Sequence, residues 1–214
     1  MKVTIVYDNE VYKKGMGLIA DWGFSSLVEV ENTPRILFDT GTDGRILLSN
    51  MRKLGIDPTS IDEVFISHAH FDHTGGLSEF LKVNRKAKIY VPPSFRGLSG
   101  REVITIRGPT KIHENVFSTG ELDRIEQSMA VKTGKGIVLI VGCSHPRMSR
   151  ILRTTSKFGK VYGIIGGMHG FSEYELFRDL ELICATHCTQ HKREIRNLYS
   201  DKYVKGGVGQ VIII

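Results

Sequence analysis

Three of the chain's eight histidines fall within six residues, in the run Ser67-His68-Ala69-His70-Phe71-Asp72-His73. An apolar strand-like stretch, 64–66, precedes the run, and Thr74-Gly75-Gly76 follows it. At a strand end, residues i and i+2 project to one side, so His68 and His70 can grip a single ion. Asp72 and His73 come after the turn, where a helix is expected to start, and approach from another direction. Such a turn supplies two ligands to each of two neighbouring ions. Three imidazoles and a carboxylate suit a borderline divalent metal, zinc first, with iron or manganese as alternatives. The plainer account of the run is a solvated loop.

To hold those groups at one rim, the chain needs strands that end in tight turns. Glycine makes up 23 of 214 residues and gathers in GTDG, TGG, GLSG, TGKG, IIGG and KGGVG, mostly beside apolar stretches. That is the pattern of strands closing in turns around something. Periodicity predicts strands over 3–7, 25–30 and 36–38, then a helix over 45–54 with Ile46, Leu47, Met51 and Leu54 on one face. A strand at 63–66, a helix containing 77–81 and a strand at 88–91 follow. The polar, glycine-bearing stretch 94–126 reads as loops and short strands placed to cover a site. Strands at 129–132, 136–141 and 161–165, helices at 148–155, 173–183 and 194–199, and a last strand at 210–214 complete the chain. Each half carries strand–helix–strand units with no linker between them. This implies an α/β arrangement with helices outside and sheets within, read as one domain over 1–214.

An apolar fraction of 41% and a charged fraction of 24% are ordinary for a folded chain and exclude wholesale disorder. No apolar run approaches the roughly 18–20 residues that span a bilayer. The opening MKVTIVYDNE meets an acid too early for a secretory signal. Three cysteines, an odd number, do not make a disulfide framework, so a cytoplasmic protein is expected. Lys and Arg number 29 against 23 Asp and Glu, a net charge of +6 that favours anionic partners. The dense basic run of a nucleic-acid binder is missing, and no specific nucleic acid is expected.

The H-x-H-x-D-H run resembles the signature of the metallo-β-lactamase-fold hydrolases, and the likeness extends from about Phe24 to the C-terminus. It implies a four-layer α/β/β/α sandwich and one or two divalent ions. Phe38-Asp39-Thr40-Gly41 resembles the family's strand-end aspartate motif, whose carboxylate holds a ligand histidine. Asp39 would take that role, or else cap a turn. The run Leu139-Ile140-Val141-Gly142-Cys143-Ser144-His145 stands where the family places the third ligand of the first ion. His145 is that ligand or a buried, satisfied histidine. Ala185-Thr186-His187-Cys188-Thr189 suits the last family histidine, so that His187 completes a second ion with Asp72 and His73.

One departure stands out. The family's metal-bridging aspartate is missing, and Asp179, in the expected helix, is the one aspartate between His145 and His187. His169, in Gly166-Gly167-Met168-His169-Gly170, stands where that carboxylate would be, as a ligand, a supporting group or a group facing substrate. Losing the carboxylate makes the site about one charge more positive. The second ion then binds less firmly, or an anionic substrate group completes the site. GCSH, IIGGMH, THCT and the closing Gly206-Gly207-Val208-Gly209-Gln210 narrow the resemblance further. They resemble the branch that includes the archaeal dihydropterin ribofuranosylaminobenzene 5'-phosphate synthase, which displaces a pyrophosphate-activated pterin methyl group with an aromatic amine.

The resemblance implies a metal-dependent hydrolase acting on a small anionic or phosphorylated substrate, with Asp72 and His169 at the reacting centre. A transferase of the pterin-synthase kind is the alternative, followed by an iron redox protein and a non-catalytic sensor. Arg147, and beyond it Arg96, Arg101 and Arg107, are the candidates for gripping an anion, though each also reads as a solvated charge. Trp22-Gly23-Phe24 either stacks on a flat ring or packs locally. Cys143 and Cys188 each lie within two residues of a proposed ligand, which admits a soft-metal or redox role, but both read mainly as small buried hydrophobes, as does Cys184 in an apolar helix. His191 reads as a surface histidine and His113 receives no role. Residues 211–214 read as an inner strand or as the edge of a homo-oligomer.

Overall fold

Apolar runs rich in Val, Ile and Leu become strands. In the computed structural model, which describes residues 1–98 and 102–214, they assemble into two sheets. The first sheet runs, in spatial order, β13 (Val211–Ile213), β1 (Lys2–Tyr7), β2 (Ser25–Glu29), β3 (Ile36–Phe38), β4 (Glu63–Phe65), β5 (Lys88–Val91) and β6 (Val103–Thr105). The second runs β12 (Leu182–Thr186), β11 (Val161–Gly167), β10 (Gly136–Val141), β9 (Met129–Thr133), β8 (Val116–Ser118) and β7 (Thr110–His113). β3, β4, β5 and β6 pair in parallel, as do β10, β11 and β12. The other ladders are antiparallel.

Three apolar layers hold these parts together. Phe38 and Phe65 of the first sheet, with Phe24 just before β2, meet Met129, Val138, Ile140 and Ile165 of the second between the two sheets. Outside the first sheet, with the four-residue α2 (Phe71–Thr74) between them in the chain, α1 (Gly44–Lys53) and α3 (Leu77–Val83) lay Leu47, Met51, Phe80 and Leu81 on Leu37, Val64 and Ile66. Outside the second, α4 (Met148–Thr155) and α5 (Lys192–Leu198) press Ile151 and Ile195 onto Leu139, Ile164 and Ile183. The result is the expected four-layer α/β/β/α sandwich. α1 begins where Asp43 accepts from Arg45 N and ends on Arg52 and Lys53, charges that suit the two ends of a helix dipole.

One expected element does not form. Over 173–183 there is a 3-10 turn at Tyr174–Phe177, an exposed turn carrying Asp179, and then strand β12. All five residues of β12 are buried. A short continuous apolar run is equally a buried helix segment or a buried parallel strand, and pairing with β11 settles it. Cys184 is accordingly core, but on a strand. The stretch 94–126 holds short strands, as expected, and among its described residues β6, β7 and β8 extend both sheets. Within the stretch 211–214, Val211–Ile213 form an edge strand, with Ile212 buried and Val211 and Ile213 exposed.

Candidate metal centre

The parallel strands of both sheets end at one rim, where ligand sites of α/β sheets collect. Asp39 follows β3, the run 67–73 follows β4, Cys143 and His145 follow β10, His169 follows β11 and His187 follows β12. Asp39, Ser144, His169 and His187 all adopt left-handed backbone, with φ of 55°, 60°, 39° and 49°. Non-glycine residues pay for that conformation, and its clustering here is characteristic of a functional rim. Gly142 is required by close approach. A Cβ there would lie 2.3 Å from Ser67 Oγ and 3.1 Å from His68 Nδ1.

His68 Nε2, His70 Nδ1 and His145 Nε2 form a triangle with sides of 3.1, 3.2 and 3.0 Å. Tetrahedral nitrogens about 2.0–2.1 Å from zinc stand about 3.3 Å apart, so the triangle is the right size for one ion. Proton bookkeeping shows one corner to be a bare lone pair. Ser67 Oγ donates to Asp39 Oδ2 at 2.7 Å, so it accepts from His68 Nδ1 at 2.8 Å. His68 Nε2 therefore carries no proton. Burial and the neighbouring histidines push His68 well below its ordinary range, and burial with His169 and His70 takes His145 down to about 4.

The second set lies alongside. Asp39 Oδ2 accepts from His73 Nδ1 at 2.7 Å, and Asn9 Oδ1 accepts from His187 Nδ1 at 3.0 Å, so both Nε2 atoms turn inward. Asp72 Oδ2 lies 3.2 Å from His187 Nε2 and 3.6 Å from His73 Nε2. His187 Nε2 is buried without a hydrogen-bond partner, so an acceptor nitrogen faces a carboxylate oxygen across a gap that suits a cation. Burial raises Asp72, but His187 and His73 outweigh it and hold the carboxyl below the usual range. Burial lowers His73, yet Asp39 and Asp72 carry it above its ordinary value.

Three further supports lie outside the motifs that pointed to the rim. Glu126, 1% exposed, accepts from four consecutive backbone N–H groups: Gly142, Cys143 and Ser144 on Oε1 and His145 on Oε2, at 2.9–3.1 Å. Burial raises its carboxyl above the usual range, and those donors offset only part of the rise. We assign it the ionised form, because all four partners are donors and none could accept its proton. Asp8, fully buried after β1, accepts from Thr186 Oγ1 and His187 N. Asn9 holds both His187 Nδ1 and the His187 carbonyl. An Asp-Asn pair closing the first apolar run was the available signal for these two, while Glu126 had none.

The remaining candidates divide. His169 sits beside His145, ring centroids 4.6 Å apart, with its buried Nε2 unpartnered and burial lowering it. Arg147 lines a cavity of about 240 Å³ with His145 and His169. Trp22 is 56% exposed, donates from Nε1 to Asp72 Oδ2 at 3.0 Å and lies 5.3 Å from the His187 ring, whereas Phe24 is core. Arg96 and Arg107 line other surface cavities, and Arg101 lies outside the described residues. His113 pairs with Glu63, and His191 starts α5, 4.0 Å from Glu194. Cys143 is buried, as expected, but beside the histidines. Its Sγ is 3.1 Å from His73 Nε2, within the ligand cluster.

Comparison with known proteins agrees with this architecture. A family model described as the metallo-beta-lactamase superfamily matches residues 21–141. A Methanocaldococcus jannaschii 7,8-dihydropterin-6-methyl-4-(beta-D-ribofuranosyl)-aminobenzene-5'-phosphate synthase is 30% identical, covering 85% of this chain and 84% of its own. A solved metal-dependent hydrolase of the beta-lactamase superfamily superposes with a TM-score of 0.78 at 23% identity, covering 100% of this chain and 99% of its own. Zn(2+)-bound PqqB from Methylobacterium extorquens superposes with a TM-score of 0.67 at 10% identity, covering all of both chains. Fold, family model and the 30%-identical relative agree, and the chain belongs to the metallo-β-lactamase superfamily.

Proposed function

We propose that this chain is a metal-dependent hydrolase with a dinuclear centre. His68, His70 and His145 hold one divalent ion, Asp72, His73 and His187 the other, and His169 completes the rim. The observation that carries this reading is the bare His187 Nε2 facing Asp72 Oδ2 at 3.2 Å, an arrangement that favours a cation between them. Bound there, zinc or a similar ion supplies an acidified water and a Lewis acid for charge developing on the substrate. Asp39, directly and through Ser67, keeps His73 and His68 in the tautomers that leave Nε2 free. Asp72, 18% exposed and ionised, is the base offered to an attacking O–H or N–H. Arg147 holds an anionic substrate group in the cavity beside His145 and His169. Three free thiols, with Cys143 and Cys188 Sγ 3.4 Å apart, suit a reducing cytoplasm.

A second reading is transfer to an amine, as the name of the Methanocaldococcus relative describes for that enzyme. Trp22 favours it, since its exposed ring beside Asp72 offers a face to a flat heterocycle. The test incubates metal-replete protein with phosphate esters and a pterin-methyl diphosphate, with and without an arylamine. Hydrolysis without amine supports the first reading, and product formed only with amine supports the second. Intact esters after long incubation would overturn both in favour of a sensor, and iron in the native protein would favour the redox alternative.

A further inference from the structure

We propose that the Cys143 thiolate is a ligand shared by the two ions, in place of the bridging carboxylate that this chain lacks. The inference rests on the dinuclear reading and assigns its bridge. Cys143 Sγ lies within 4.8 Å of the donor atoms of His68 and His145, and equally of those of Asp72, His73 and His187. Among the described residues, no other side chain belongs to both groupings. Its 3.1 Å separation from His73 Nε2 is what two ligands on one ion require. Bonds of about 2.0 and 2.3 Å at 90–110° place nitrogen and sulfur about 3.1–3.6 Å apart.

The backbone aims the sulfur deliberately. Four N–H donations to Glu126 clamp residues 142–145, and the left-handed turn at Ser144 sends both Cys143 and His145 toward the rim. Charge argues the same way. With neutral imidazoles, Asp72 is the one anion in the ligand set, which leaves two divalent ions under-neutralised. A thiolate adds the missing negative charge, and its several lone pairs allow it to serve two ions at once. Cys188 Sγ, 3.4 Å away, donates its S–H to that thiolate and is a positioning residue. His169, a ring nitrogen of which also lies within 4.8 Å of Cys143 Sγ, is then not needed in place of the carboxylate, and it lines the cavity shared with Arg147.

The test uses full-length protein loaded with cobalt or zinc. Cobalt protein is expected to show a thiolate-to-metal charge-transfer band that Cys143→Ser abolishes and Cys188→Ser retains. Second-ion affinity in Cys143→Ser should fall by more than the roughly 10–100-fold typical of losing an outer hydrogen-bond partner. X-ray absorption of wild-type zinc protein, which needs no variant to fold, should show a sulfur neighbour at about 2.3 Å. Metal bound at two ions per chain with no sulfur neighbour overturns the thiolate and leaves the dinuclear centre standing. Failure to bind metal overturns both. A band lost in Cys188→Ser but kept in Cys143→Ser would transfer the role to Cys188 and overturn the proposal.

Discussion

Asp39 Oδ2 lies 2.7 Å from His73 Nδ1, and the same oxygen accepts from Ser67 Oγ, which in turn accepts from His68 Nδ1. One buried carboxylate thus sets the tautomer of a histidine in each half of the cluster. Asp39→Asn keeps the shape, and asparagine tolerates the left-handed backbone at this position. The amide can no longer accept from both donors. Affinity for both ions should fall about 10–100-fold, read by competition with a chromophoric chelator. An effect confined to one ion would break the link through Ser67.

His169→Ala separates two roles for that imidazole. Its Nε2 is buried and unpartnered, and it shares a cavity with Arg147. With Cys143 as bridge, two ions per chain should persist by elemental analysis while turnover falls. Loss of an ion on this substitution would make His169 a ligand.

Glu126 carries a prediction about stability. Replacing it by Gln removes the charge and turns an NH₂ toward backbone N–H donors that need acceptors. Metal-free Glu126→Gln should be less stable by about 2–4 kcal/mol in chemical denaturation. A change under about 0.5 kcal/mol would show that the 142–145 turn holds itself.

Acid should destabilise the metal-free protein. His145 falls from 6.5 to about 4 on folding, and His68, His169 and His187 are lowered too, mainly by burial. Between those values the unfolded chain binds more protons than the folded one, so stability rises with pH across the window from about 4 to 6.5. His73, raised by Asp39 and Asp72 despite its burial, and Asp8 and Glu126, raised by burial, work in the opposite sense, against four lowered imidazoles. Tm of chelator-treated protein should drop from pH 7 to pH 5, and zinc at pH 7 should raise it again. A flat profile would contradict the neutral, desolvated cluster.

Trp22 should matter to substrate more than to the fold, because its ring is 56% exposed. Trp22→Ala should raise KM for a flat-ring substrate about 2–10-fold with little change in Tm, and Trp22→Phe should recover most of it. Equal KM for all three proteins would remove the ring-stacking role.

The amino-acid sequence by itself determined the layered α/β plan, the strand-end turns and the gathering of His68, His70, Asp72 and His73. Those features are local, set by apolar period, glycine placement and spacing within one turn. The helix expected over 173–183 shows the limit, since Leu182–Thr186 is a strand only because β11 lies beside it. Asp8, Asn9 and Glu126 were not legible as parts of the site, and Cys143 was legible only as the neighbour of a proposed ligand. Their roles depend on hydrogen bonds and approaches between residues 16 to 179 positions apart in the chain. Tertiary structure alone decided which nitrogen of each histidine faces inward, because a tautomer is set by the partner on the opposite side of the ring.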